Sequence, residues 1–361
     1  MDIYSYNFPA IRGIQAGKEY FVLMCPLRLI PKIFLFNEEE IHPDLRAQRV
    51  LNKARIPEIT TYLLNNPTGY IFSALTASVD AEIDFMPATE AHYNIGSLSI
   101  PMLAKFIIND GQHRRAAIEA ALKERPELGD ETIPIVLFVD LGLKNSQQMF
   151  SDLNRYAIRT TKSLNILYDY RDPLALMVKE VIDNVLEFKG LVETEKSTIS
   201  NRSKKIFTLS GLYHATKELF SDYKIDPQEE DKAVAEDFWQ EMWSNIIEWQ
   251  MVKNNEISAA DFRKDYINAH SITLIAIGRA ARFLIQHYPM SWKKHLKKLQ
   301  SINWHRENSS VWEGRVTIGG KISNSRNNLT LLVCYIKTIL ELPLTTEEKN
   351  AEQSYRMKVG A

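Results

Sequence analysis

A chain of 361 residues with 45 % hydrophobic and 25 % charged side chains has room for about two globular domains and is too apolar to be a disordered one. Its 44 basic and 45 acidic residues leave a net charge of −1, which excludes a polycation, so nucleic acid has to meet a local basic face. No stretch approaches the ~18 apolar residues of a membrane span, and no basic-then-apolar leader opens the chain. Cys25 and Cys334 stand alone, so no zinc site is indicated and a reduced, cytoplasmic protein is expected.

Residues 18–36 read as strand-rich, with apolar runs at Tyr20–Met24 and Ile30–Phe36. Helices are predicted over about Asp44–Lys53 and Pro57–Leu64, the second with proline in a tolerated first-turn position. Tyr70–Val79 reads as a strand and 84–97 as a surface loop without a clear period. Short strands follow at Leu98–Ile100 and Lys105–Ile108, then a helix from about Arg115 to Leu122, a strand at Ile133–Asp140 and a short helix at Ser146–Leu153 with Ser146 as its cap. Beyond about Lys162, apolar residues recur at helical spacing in 174–188, 209–222, 233–253, 271–287 and 328–342. Trp239, Trp243 and Trp249 share that spacing and read as core. The expected organisation is α+β: a mixed α/β domain over 1–165, a mainly helical domain over 166–345, and a polar, frayed tail over 346–361.

The most informative segment is Asp110-Gly111-Gln112-His113-Arg114, between an apolar strand and a helix-like run. A strand that turns through glycine into a helix aims free backbone N–H groups and the positive helix end at an anion. Arg114 and Arg115 add donors shaped for phosphate, and Asp110 offers hard oxygens to a divalent metal. Asp-Gly is also ordinary turn chemistry. A second cluster, Asp152-Leu153-Asn154-Arg155 and then Arg159-Thr160-Thr161-Lys162, is phosphate-capable, with Asn154 alternatively a helix C-cap. A third, Gln48-Arg49, Asn52 and Arg55, reads first as an exposed helix surface. In the helical half, Arg202, Lys204 and Lys205 lie in a polar loop, Lys293–Lys298 on a helix, and Arg306, Lys321 and Arg326 among Gly, Ser and Asn. Lys and Arg mixed with short polar residues suit a DNA backbone, though charge runs are more often solvated faces.

The pentapeptide resembles the signature of the DGQHR-domain family, whose wider relatives have ParB and sulfiredoxin-like folds. Phe150–Asn154, Trp304-His305-Arg306, Trp312-Glu313-Gly314 and Ser323–Arg326 extend the likeness over most of the chain to the DndB family of DNA sulfur modification proteins. That resemblance implies a repressor that binds operator DNA of a bacterial phosphorothioate modification operon, with other proteins of that system as partners. A palindromic operator would pair with a symmetric homo-oligomer. The ParB-like fold implies a nucleoside triphosphate, ATP first, held with Mg²⁺ by Gly111, Arg114, Arg115, Asn154 and Arg155. The sulfiredoxin cysteine is absent, because Gln112 and His113 stand in that turn. Related defence proteins imply an alternative, an ATPase coupled to DNA nicking. Asp110 would then be the metal ligand and His113 the general acid/base, with Gln112 and Arg114 completing the catalytic set.

Overall fold

The computed structural model describes residues 4–34, 53–141, 145–155, 160–220 and 227–359, and the chain divides at Ile158/Arg159 into two compact units. The predicted α+β class is the observed one. The helix expected over Asp44–Lys53, and with it Gln48, Arg49 and Asn52, lies outside the described residues apart from Lys53.

The first unit is a seven-stranded mixed sheet carrying helices. In chain order its strands are β1 (Ser5–Gln15), β2 (Lys18–Pro26), β3 (Leu75–Asp80), β4 (Asp84–Pro87), β5 (Ile95–Pro101), β6 (Lys105–Asp110) and β7 (Thr132–Val139). They lie in the order β4-β5-β1-β2-β7-β3-β6, antiparallel except where β3 runs parallel to β7. Period-two burial builds the core from Phe8 and Ala10, Phe21 and Leu23, Leu75 and Ala77, Leu98 and Ile100, and Ile133, Ile135 and Leu137. Helix α1 (Ile30–Ile33), α2 (Ile56–Asn65) and α3 (Gln112–Glu124) add Ile30, Leu63, Ile118 and Ala121 to it.

Four local expectations change. Residues 30–33 are helical rather than extended, with Pro31 in the first turn. The strand predicted from Tyr70 begins only at Leu75. Arg114 takes the carbonyls of Ser73 and Ala74, and the Tyr62 hydroxyl takes the Ile71 N–H, so this backbone is satisfied outside the sheet. The predicted loop 84–97 contains β4 and the start of β5, whose exposed faces hide a strand period. Ser146 is not the cap of α4 (Ser146–Arg155); buried Asp140 accepts from the Asn145 N–H at 3.0 Å and the Ser146 hydroxyl at 3.0 Å.

The second unit is mainly helical. Its helices are α5 (Lys162–Tyr168), α6 (Pro173–Asn184), α7 (Leu209–Leu219), α8 (Glu229–Asn245), α9 (Ile247–Lys253), α10 (Ala259–Asp265), α11 (Ser271–His287), α12 (Trp292–Leu296), α13 (Ser309–Trp312), α14 (Arg326–Ile339) and α15 (Thr346–Val359). Trp239, Trp243 and Trp249 meet Phe188 and Phe207 in a buried aromatic cluster, as their spacing implied. α11 crosses α7 so closely that a Cβ at Gly278 would sit 2.2 Å from the Ala215 carbonyl oxygen. The C-terminal residues expected to fray instead form α15. Its Glu348 and Glu352 make largely buried ion pairs with Lys337 and Arg315. Among the described residues, no helix is long and apolar enough to cross a membrane.

Candidate functional site

Two groups of predicted residues have a definable geometry, one in each unit. In the first, β6 ends at Asp110, Gly111 adopts φ 103°, and α3 begins at Gln112. This left-handed backbone suits glycine, and a Cβ there would meet Leu75 Cδ2 at 2.4 Å. The turn therefore depends on both backbone freedom and close packing. It presents the first-turn N–H groups of α3, which have no acceptor within the helix.

Arg114 closes this turn. Its guanidinium donates to Asp110 Oδ2 at 2.6 Å, the Ser73 carbonyl at 2.5 Å, the Ala74 carbonyl at 3.0 Å and the Ser73 hydroxyl. It thus ties the start of β3 to the end of β6. Gln112 donates to the Ile108 carbonyl at 3.3 Å, and His113 sits half-buried in the first helical turn. Asp110, Gly111, Gln112, His113 and Arg114 are together. Arg115 departs from the expected phosphate set: it is buried, donating to the Phe34 carbonyl at 2.9 Å and Glu119 at 2.5 Å. One residue on a helix turns the side chain by about 100°, so Arg115 anchors α3 to α1's end while Arg114 faces the turn.

Among the described residues, no group of three or more His, Cys, Asp or Glu side chains is placed to hold a metal, at Asp110 or elsewhere. Mg²⁺ bound by protein and nucleotide needs one or two carboxylates plus phosphate oxygens, and here the single candidate already holds Arg114. The donor set does not make a metal site by itself. Helix α4 packs against β6, and Asn109 reaches Ser78 Oγ at 2.7 Å and Met149 Sδ at 3.9 Å. Asn154 and Arg155 occupy the last turn of α4, and their side chains, like Arg159 as a whole, lie outside the described part.

The second group surrounds the C-terminal end of α10. Arg263 donates to the carbonyls of Ser200 at 2.9 Å, Asn201 at 3.3 Å and Ser203 at 3.1 Å, and to that of Lys205. One guanidinium thus fixes the loop carrying exposed Arg202 and Lys204 and half-buried Lys205. Two residues on, the Asp265 carbonyl accepts from the Arg306 N–H at 2.7 Å, and the Ile267 N–H donates to the Trp304 carbonyl at 3.0 Å. Arg306 Nη2 lies 3.1 Å from His270 Nε2. Burial, then the Arg306 charge, lowers the His270 pKa to about 4. The imidazole is therefore neutral at pH 7 and accepts from Arg306. Arg202, Lys204, Lys205 and Arg306 are brought to one scaffold although about a hundred residues separate them. Sequence reasoning missed Arg263, because nothing in its spacing signals a side chain that binds backbone carbonyls.

Lys321 and Arg326 are placed differently. β10 (Thr317–Ile318) and β11 (Lys321–Ile322) form a hairpin through Gly319 and Gly320. The Glu313 carboxylate accepts from Thr317 Oγ1 at 2.8 Å and from the two glycine N–H groups at 2.6 and 3.3 Å. Those bonds, the hydroxyl's first, hold its pKa below the usual range. The Gly319 and Gly320 N–H groups are thus already taken by an anion of the chain itself. Lys321 is exposed, and Arg326 is exposed with Glu347 at 4.0 Å.

A family model, DndB, described as DNA-sulfur modification-associated, matches residues 8–343. No curated protein and no solved structure matches the chain.

Proposed function

The chain belongs to the DndB family of DNA-sulfur modification-associated proteins, and from that premise we propose that it is a DNA-binding regulator of a phosphorothioate modification operon. The observation that carries this reading is the gathering of Arg202, Lys204, Lys205 and Arg306 around α10 in a chain of net charge −1. Local charge of this kind binds phosphate backbone by releasing counterions, without a polycationic protein. The Gly111 turn supports a further part of the proposal, a nucleotide phosphate bound in the first unit that modulates DNA binding. ATP is the nucleotide to try first. No catalytic step is assigned to Asp110 or His113, since the carboxylate is held by Arg114.

The test is fluorescence anisotropy with labelled duplex from the promoter of the modification operon, against an unrelated duplex, with and without ATP. Tighter binding to the promoter, shifted by ATP in the native protein but not in Gly111→Ala, is expected. Equal binding to both duplexes would remove the regulator reading. Phosphate release from ATP that disappears in Asp110→Ala would replace the sensor with a hydrolytic enzyme.

A further inference from the structure

The basic loop does not hold its own shape. Residues 200–205 run between short strands β8 (Val192–Glu193) and β9 (Phe207–Thr208), and four of their carbonyls converge on the Arg263 guanidinium. A guanidinium offers five donors in a fixed plane, so it can clamp several carbonyls where a lysine ammonium cannot match the fork. With four carbonyls on Arg263, these residues turn their backbone inward, and Arg202 and Lys204 are left exposed.

The neighbouring residue is Lys264, exposed on the last turn of α10. Asp265, next along, binds the Arg306 backbone through its carbonyl, and Arg306 is held again by neutral His270. Three consecutive residues of one short helix therefore do three jobs. Arg263 fixes one basic segment, Asp265 docks the other, and Lys264 stands between them in sequence. The acids in these segments are Asp261, engaged by the Ser258 hydroxyl, Asp265 and Glu307, beside His305, against cations Arg202, Lys204, Lys205, Lys264 and Arg306. Cationic charge prevails, and it sits where the negative end of the helix favours it.

We infer that Lys264 is a direct contact to the phosphate backbone of duplex DNA and that Arg263 is the positioning residue of the same face, ordering Arg202, Lys204 and Lys205 without touching DNA. This rests on the DNA-binding reading above and adds two residues and a scaffold to it.

The experiment measures duplex affinity of the full chain against salt concentration for the native protein, Lys264→Ala, Arg263→Gln, and the control Lys123→Ala on α3. A phosphate-contacting lysine lowers the slope of log affinity against log salt by about one when removed, and weakens all sequences alike. Lys264→Ala is expected to do this. Arg263→Gln is expected to lower the slope by about 2.7, through release of Arg202, Lys204 and Lys205 at about 0.9 each, with native far-UV circular dichroism. Lys123→Ala, the same change of charge elsewhere, is expected to leave the slope unchanged. A native slope in Lys264→Ala, or in folded Arg263→Gln, overturns the corresponding assignment. If Arg263→Gln fails to fold, Lys264→Ala still decides the face. Absence of DNA binding by the native protein, by contrast, overturns the functional reading itself.

Discussion

At the scale of single residues, buried charge is used for structure in the second unit. Arg315 and Glu352 form a two-pronged pair at 2.6 and 2.8 Å, with side chains 7 % and 12 % exposed, and the Arg315 guanidinium lies 4.4 Å from the Tyr355 ring centre. Burial alone would raise the Glu352 pKa, but Arg315, helped by Arg356, outweighs it and the value falls below the usual 4.5. A carboxylate so lowered contributes stability that is full above its unfolded value and is lost as pH falls through the lower folded value. Glu352→Ala leaves Arg315 buried and uncompensated, and removing one partner of a buried pair costs about 3–5 kcal/mol. Urea unfolding should show that loss at pH 7, and the variant should lose less stability than the native protein as acid is added. An unchanged midpoint at pH 7 would show the pair contributes nothing. These roles were only partly legible in sequence. Asp110 and Arg114 are legible as opposite charges at one turn, but their pairing depends on the left-handed Gly111 that joins the strand's end to the helix's start. That Arg115 faces inward was not legible, because two adjacent arginines look alike until the helix has a neighbour.

At the scale of elements, close approach between helices is set by the smallest residue. Gly278 of α11 faces the Ala215 carbonyl of α7, where a methyl group would stand 2.2 Å from the oxygen. Replacing helical glycine by alanine gains about 1 kcal/mol of intrinsic propensity. Overpacking costs about 1–3 kcal/mol, and here the obstacle is backbone, which has no rotamer to escape into. The clash should win: Gly278→Ala is expected to lower the melting temperature, measured by circular dichroism at 222 nm, and a raised one would mean that the helices separate freely. Long helices such as α11 were readable because their apolar period matches a buried face, and 271–287 is reproduced to the residue. Strand β1 escaped notice because Pro9 and Gly13 interrupt an alternation that only pairing with β2 and β5 reveals. The break at Leu75 was unreadable for a different reason. It is imposed by Arg114, about forty residues away, and local patterning carries no trace of that.

At the scale of the molecule, a net charge of −1 means that bulk electrostatics offer DNA no attraction, and affinity has to come from one face. That places a ceiling on its salt dependence. Each phosphate neutralised contributes about 0.9 to the slope of log affinity against log salt. If Arg202, Lys204, Lys205, Lys264 and Arg306 of one copy are the contacts, the native slope should be no steeper than about −4.5, five such contributions. A symmetric dimer on a two-fold operator would double the ceiling, so the titration is best read beside the mass of the complex from light scattering. A slope near −4.5 for one bound copy requires every one of these cations to meet a phosphate, and a shallower one means that some meet base edges or water instead. A slope steeper than the ceiling at known stoichiometry would show that Lys321, Arg326 or the first unit also meets the backbone, and that the α10 scaffold accounts for only part of the interface.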